Sequence, residues 1–184
     1  MLNPYAIGKL CYLRIPEESD VNSSWYEWFS DPIVTKYLSD RFWPNSKAEQ
    51  LDFVKRLASD KNRMVLLVCD LESDSPRGIV SLANINFVHR YASFSIVMPY
   101  LVNKDSRVTF EASMLLLNIA FKKLNLLNIK SFTASSNHAS INMQKLLGFE
   151  VIGAFSDIYR IDGELNNEVC MQLKTENWRS QLFN

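Results

Sequence analysis

His89 and His138 are the two histidines of this 184-residue sequence, the residue type suited to proton exchange at physiological pH, so each is a candidate proton acceptor. Neither has a metal-binding neighbourhood. Cys11, Cys69 and Cys170 are far apart and form no CxxC or Cys/His cluster, so the ligand spacing of a structural zinc site is missing. Each cysteine sits in an apolar stretch, as a small buried side chain would. Their odd, dispersed count suits a reduced intracellular protein. Asn137 stands where a helix should begin, and its side chain suits an N-cap. Trp25, Tyr26, Trp28 and Phe29, with Phe42 and Trp43, concentrate aromatic surface in the first quarter of the chain. Ordinary packing accounts for at least half of these rings, and the remainder would suit a wall for a sugar ring or a nucleobase.

The elements that position these residues follow from patterning. Residues 9–15 read as a short strand, and Ser19 or Asp20 can cap a helix carrying Trp25, Trp28 and Phe29. Asp31-Pro32 is a second helix-start signal, followed by Ile33, Val34, Tyr37 and Leu38 on one face. Ser46 and Glu49 have capping-box spacing ahead of Leu51, Val54, Leu57 and Ala58. Strands are expected over 64–70, 78–87 and 91–98, then a long, largely buried helix over 108–124. A strand over 129–135 leads into a helix from Ser136-Asn137 to Leu147, stopped by Gly148. Two last strands, 149–159 and 168–173, flank Asp162-Gly163. The order β-α-α-α-β-β-β-α-β-α-β-β predicts an α/β (α+β) domain over residues 1–184, with helices covering a mixed sheet.

Composition excludes several function classes. Twenty basic and twenty acidic residues cancel, which disfavours nucleic acid and anionic membrane as partners. No leader-like start and no apolar run near the roughly 20 residues of a membrane span is present. The expectation is a soluble, cytoplasmic protein.

The element order resembles the GNAT acyltransferase fold, and several motifs carry the resemblance. Tyr12-Leu13-Arg14 followed by Glu18-Ser19-Asp20 is similar to the family's first strand and turn. The segment from Trp25 through Asp31-Pro32-Ile33-Val34 to Tyr37-Leu38 resembles the ribosomal-protein N-terminal and amino-sugar acetyltransferase subgroup. Gly78-Ile79, Asn84-Ile85-Asn86 and Ala92 match the third and fourth strands. Asn137, Ser140 and Lys145 through Gly148-Phe149 resemble the N-x-x-S … K-x-G-F signature. The resemblance implies a mostly antiparallel sheet of about seven strands whose fourth and fifth strands splay apart. It also implies acetyl-CoA as acyl donor, with pantetheine on the backbone of Ile96, Val97 and Met98. The phosphates would lie on Lys104, Ser106, Arg107, Val108 and Thr109 at a helix start, where free N–H groups and the helix dipole favour anions. Asn137, Asn142 and Lys145 complete the implied cofactor contacts. Asn137 and Ser140 are the implied catalytic pair, Ser140 offering a hydroxyl near the thiol sulfur.

Departures from the family pattern are specific. The phosphate loop has neither usual glycine, and Arg107 occupies the second one's place. Lys104 and Arg107 can replace amide contacts with charge-assisted bonds, while Asp105 opposes an anion. Ser93 stands at the usual glutamate base and Met143 at the usual tyrosine acid. Deprotonation of the amine is therefore expected to run through water held by Asn137 and backbone groups. His89 reads as an exposed turn residue, His138 as solvated and Glu111 as a helix-dipole partner. Tyr100 and Tyr159 read as packing or acceptor-pocket residues, and Lys122, Lys123 and Lys130 as solvated charges. The implied activity is acetyl-CoA-dependent N-acetylation of a small-molecule primary amine by a monomer or homodimer. A nucleotide-linked amino sugar is the favoured acceptor. The alternatives are a protein N-terminus, or a GNAT-like binding module that has lost catalysis.

Overall fold

The computed structural model describes residues 1–99 and 105–178. Among them an eight-stranded sheet is built from β1 (Ala6–Ile7), β2 (Tyr12–Arg14), β3 (Met64–Cys69), β4 (Pro76–Asn86), β5 (Tyr91–Val97), β6 (Asn128–Ala134), β7 (Glu150–Ile161) and β8 (Glu164–Lys174). The strand order is β1-β2-β3-β4-β5-β6-β8-β7. Every neighbouring pair is antiparallel except β5 and β6. The expected mixed, mostly antiparallel sheet is present, with β1 as one short strand more than the sequence suggested.

The helices form two layers. α1 (Ser24–Trp28) and α2 (Lys47–Leu57) cover one face, where Trp25, Trp28, Val54 and Leu57 pack on Tyr12, Val65, Leu67 and Ile79. α3 (Ser106–Asn118) and α4 (His138–Leu146) cover the other, where Val108, Ala112, Leu116 and Leu147 meet Leu13, Leu66, Val80 and Phe94. This explains the run Met64–Cys69. A central strand covered on both faces is apolar at every position rather than at alternate ones. α3 is buried around most of its circumference, as its sequence indicated, and widens into a π-turn over Ile119–Lys123. Asp162 and Gly163 join β7 to β8 with φ of 53° and 91°, the left-handed pair that a two-residue hairpin of native twist requires.

Four expectations need correction. The first strand covers only Tyr12–Arg14, because the N–H groups of Lys9, Leu10 and Cys11 donate to the Glu111 carboxylate at 2.8, 2.7 and 3.0 Å instead of entering a ladder. Glu111 is thus a tertiary anchor and not a helix-dipole partner. Asp31-Pro32 opens a single turn rather than a helix. Asp31 Oδ1 accepts from Ile33 N and its carbonyl accepts from Thr35, while the β-branched run Ile33-Val34-Thr35 gives propagation little support. Finally, Ser23 caps α1, accepting from Trp25 N at 3.2 Å, because Asp20 is committed elsewhere. Both Asp20 oxygens accept from the Arg14 guanidinium at 2.7 Å.

Candidate active site

The parallel ladder between β5 and β6 covers only Tyr91, Ala92 and Ser93 against Asn128, Ile129 and Lys130. Beyond Ser93 the strands part, β5 running on beside β4 and β6 beside β8. This is the splay implied by the resemblance. At its closed end the Lys130 ammonium lies 3.9 Å from the Tyr91 ring centroid, so Lys130 is not a freely solvated charge. Along its open edge run Ile96 and Val97, with Met98 just beyond the strand. Gly78 fixes their position. A Cβ there would stand 2.1 Å from Met98 Sδ and 2.7 Å from the Val97 carbonyl, so only glycine admits this approach.

Because α3 and α4 follow β5 and β6, and those strands are parallel, both helices start at the open end of the cleft. Asp105 caps α3, its Oδ1 accepting from Arg107 N at 3.0 Å. The Arg107 side chain folds back onto Asp105, with Nη2 2.7 Å from Oδ2, and this pairing holds the Asp105 carboxyl down at about 2. Ser106 and Arg107 are exposed, Thr109 is half-buried, and Val108 is turned into the core. Lys104 and Tyr100 lie outside the described residues. At the second helix, Asn137 Oδ1 accepts from Ser140 N at 3.2 Å, so Asn137 is the N-cap expected of it. The Ser140 hydroxyl oxygen accepts from Gln144 Nε2 at 3.0 Å, and the same nitrogen donates to Thr133 Oγ1 of β6 at 2.9 Å. Asn142 and Lys145 are exposed on the outer side of α4. Lys145 is eight residues beyond the cap, roughly 12 Å along the axis, and so stands away from the helix start.

The histidines separate from this end. His89 is exposed in the β4–β5 turn, which precedes the closed end of the cleft, a strand's length from the helix starts. His138 is exposed on the first turn of α4. Tyr159 donates its hydroxyl to Glu168 Oε1 at 2.6 Å, and burial together with that carboxylate raises the phenol well above its ordinary range. The three cysteines are free and buried. Burial pushes the Cys69 thiol up to about 11 and that of Cys11 further, leaving both protonated and unreactive.

On the α1–α2 face a cavity of about 480 Å³ runs over β4 and β5. Trp25, Phe29, Trp43 and Phe53 wall it, and Ser81 and Ser95 line it from the sheet. Two polar side chains at its wall carry an unmet demand. Both amide atoms of Gln50 and the indole Nε1 of Trp25 are buried without a hydrogen-bond partner. Glu49 and Arg63 are the charged side chains of the lining, the guanidinium lying 5.9 Å from the Phe53 centroid. The 31–38 segment reaches the far strands, with Tyr37 donating to the Ser136 carbonyl at 3.2 Å and Lys36 pairing with Asp162 at 3.1 Å.

Gln50 and Gln144 lie outside every motif named above. Each occupies an inward position of an otherwise apolar helix stripe, Gln50 with Val54 and Leu57, and Gln144 one turn before Leu147. A polar residue interrupting such a stripe was the available signal.

The model of the acetyltransferase (GNAT) domain matches residues 11–150. Spermidine N(1)-acetyltransferase of Escherichia coli (strain K12) is 28% identical over 161 residues, covering 86% of this chain and 78% of that protein. Among solved structures, spermidine N-acetyltransferase from Vibrio cholerae in complex with CoA and spermine superposes with a TM-score of 0.82 at 20% identity, covering 92% of this chain and 98% of the other. A GNAT-family acetyltransferase from Bacillus anthracis gives a TM-score of 0.78 at 18% identity, covering 93% and 98%.

Proposed function

The chain belongs to the GNAT acetyltransferase family, and from that premise we propose that this acetyl-CoA-dependent N-acetyltransferase acts on a primary amine borne by a neutral, hydroxyl-rich ring, a nucleotide-linked amino sugar above all. The observation that carries the acceptor is the unmet hydrogen bonding of Gln50 and Trp25 at the wall of an aromatic cavity. Buried polar groups without partners are rare in native proteins, and each costs about 1–3 kcal/mol until something pairs it. A ring with hydroxyl groups supplies both donors and acceptors while its faces lie against Trp and Phe.

The residues present fit the donor. The parted edge of β5 offers backbone groups from Ile96 and Val97 to an extended amide-bearing arm, and two helix starts face the same end. Acetyl-CoA supplies an activated thioester there. Arg107 is the cation for its phosphates, released from Asp105 as they bind. Asn137 and Ser140 stand at the second helix start, Asn137 ordering water and Ser140 returning a proton to the thiolate. Ser93 stands where the family places its glutamate, and the amine loses its proton through water. Three buried thiols are consistent with a reduced cytoplasmic setting.

The sequence relatives favour a second reading, a polyamine acceptor. A polycation calls for several carboxylates, whereas this lining carries Glu49 opposed by Arg63. Thiol release measured with nucleotide-linked amino sugars, spermidine and short peptides decides among them. The expected result is a kcat/KM for an amino sugar at least roughly tenfold above that for spermidine, about 1.4 kcal/mol of discrimination. Spermidine or a peptide N-terminus as the best substrate would overturn the reading. For the donor, Arg107→Ala should weaken acetyl-CoA binding more than Lys123→Ala, with a difference that shrinks as salt is added. Lys123 is occupied at the far end of the helix, 3.3 Å from the Tyr5 carbonyl. Equal affinities by calorimetry at one salt concentration would remove Arg107 from the phosphate site.

A further inference from the structure

We propose that Gln144 is a positioning residue for the acetyl-transfer step, fixing the direction in which Ser140 presents its hydroxyl proton. The inference rests on the reading of Ser140 as the proton donor to the departing thiolate.

Gln144 is 2% exposed, on the inward side of α4 among the apolar residues of the core. Its amide nitrogen donates to two hydroxyl oxygens, Thr133 Oγ1 at 2.9 Å and Ser140 Oγ at 3.0 Å, while its carbonyl oxygen is buried with no partner. For stability alone this is a poor arrangement, since an unsatisfied buried carbonyl costs more than a leucine of similar volume would. The geometry has a directional result. A serine hydroxyl has one proton and two lone pairs. With one lone pair held by Gln144 Nε2, the proton of Ser140 is turned away from the helix interior and is free for a group in the cleft. Thr133 anchors the amide from β6, so the direction is referred to the sheet rather than to a mobile side chain. The Ser140 amide, bound to Asn137 Oδ1, fixes the other end of the residue. The sequence Thr133–Gln144–Ser140 does for serine what a second hydrogen bond does for a catalytic histidine. In the transfer itself the amine nitrogen bonds to the acetyl carbon, the carbon–sulfur bond breaks, and the Ser140 proton passes to the sulfur. Water then returns a proton to the Ser140 oxygen and carries off the one lost by the amine.

A double-mutant cycle tests this, read with the amine that the native enzyme turns over fastest so that the result does not depend on which acceptor that is. Ser140→Ala should lower kcat by roughly a hundredfold, the lower end for loss of a general acid. Gln144→Leu should lower kcat about tenfold with unchanged acetyl-CoA affinity by calorimetry. The double variant should match Ser140→Ala alone, because Gln144 acts only through that hydroxyl. Gln144→Glu reads direction. Its ionised carboxylate accepts from Ser140 and turns the proton inward, so kcat relative to the native enzyme at the same pH should be low at pH 8 and recover toward pH 5, where a protonated carboxyl can donate. Multiplicative losses in the double variant, or a fully active Gln144→Glu enzyme at pH 8, would overturn the role of Gln144. A native kcat in Ser140→Ala would instead remove Ser140 as the acid and this proposal with it.

Discussion

Asp20→Ala should lower the unfolding free energy by about 3–5 kcal/mol, the cost of leaving a buried charge without its partner. Arg14 and Asp20 are 3% and 6% exposed and meet through two bonds of 2.7 Å. Asp20 also accepts from Glu17 N at 2.7 Å, and Arg14 donates to the Ile15 carbonyl at 3.2 Å. The carboxylate raises the guanidinium's proton affinity further still, so Arg14 stays charged at every usable pH and cannot escape by neutralising. For a chain of this size the loss corresponds to a melting temperature lower by roughly 6–20 °C. The paired variant Arg14→Met, Asp20→Leu should be the more stable of the two, since it removes both charges together. Chemical denaturation of the three proteins checks this, and a single variant as stable as the native chain would mean that water reaches the pair. The acceptor side should respond as well. The turn held by Asp20 delivers Ser23, the cap of α1, and α1 carries Trp25 into the cavity wall.

Glu111→Ala should cost about 3 kcal/mol or more. One carboxylate accepts from three consecutive backbone N–H groups and from the Cys11 thiol at 3.5 Å. Each charge-assisted bond contributes about 1.5–3 kcal/mol, though not additively, and its removal leaves part-buried donors unsatisfied. Glutamine should recover only part of the loss, because its NH₂ group would face N–H groups that need an acceptor. Gly8→Ala should act through the same contact, since a Cβ there would stand 2.4 Å from Glu111 Oε2. Denaturant midpoints, with hydrogen exchange at Lys9, Leu10 and Cys11, are the measurements. Unchanged protection of those three amides in Glu111→Ala would show that they have another acceptor.

These two anchors mark the limit of what the sequence displays. Local signals were legible. The Asn137 cap, the Gly148 stop with φ of 94° and the Asp162-Gly163 hairpin each depend on residues adjacent in the chain. The apolar run of β3 and the burial of α3 were legible because periodicity reports how many faces are covered. Contacts spanning a hundred residues were not. Nothing near Glu111 in sequence indicates that its partners are the amides of Lys9, Leu10 and Cys11, and so the apolar pattern over 9–15 is longer than the strand it contains. Asp20 has the composition of a cap, and only the fold gives it Arg14 as a stronger partner. At the site, Asp105 and Asn137 cap the two helix starts and Ser140 lies in the first turn of the second, whereas Lys145 lies roughly two turns beyond its cap. No short motif contains Gln50 or Gln144; each acquires its meaning from a cavity or a strand elsewhere in the chain.

The parting of β5 from β6 also bears on solubility. A strand edge is a template for any passing chain, and proteins commonly guard such edges with charge, bulges or coverage. Here two edges lie inside the sheet, where bulges and lysines at the rim would give no protection. They guard one another by geometry. Joined for three residue pairs and diverging after them, they form a wedge whose closed end is too narrow for a further β-strand. A wedge built this way holds two unpaired strand edges inside the sheet without offering a gap of even width to a passing β-strand.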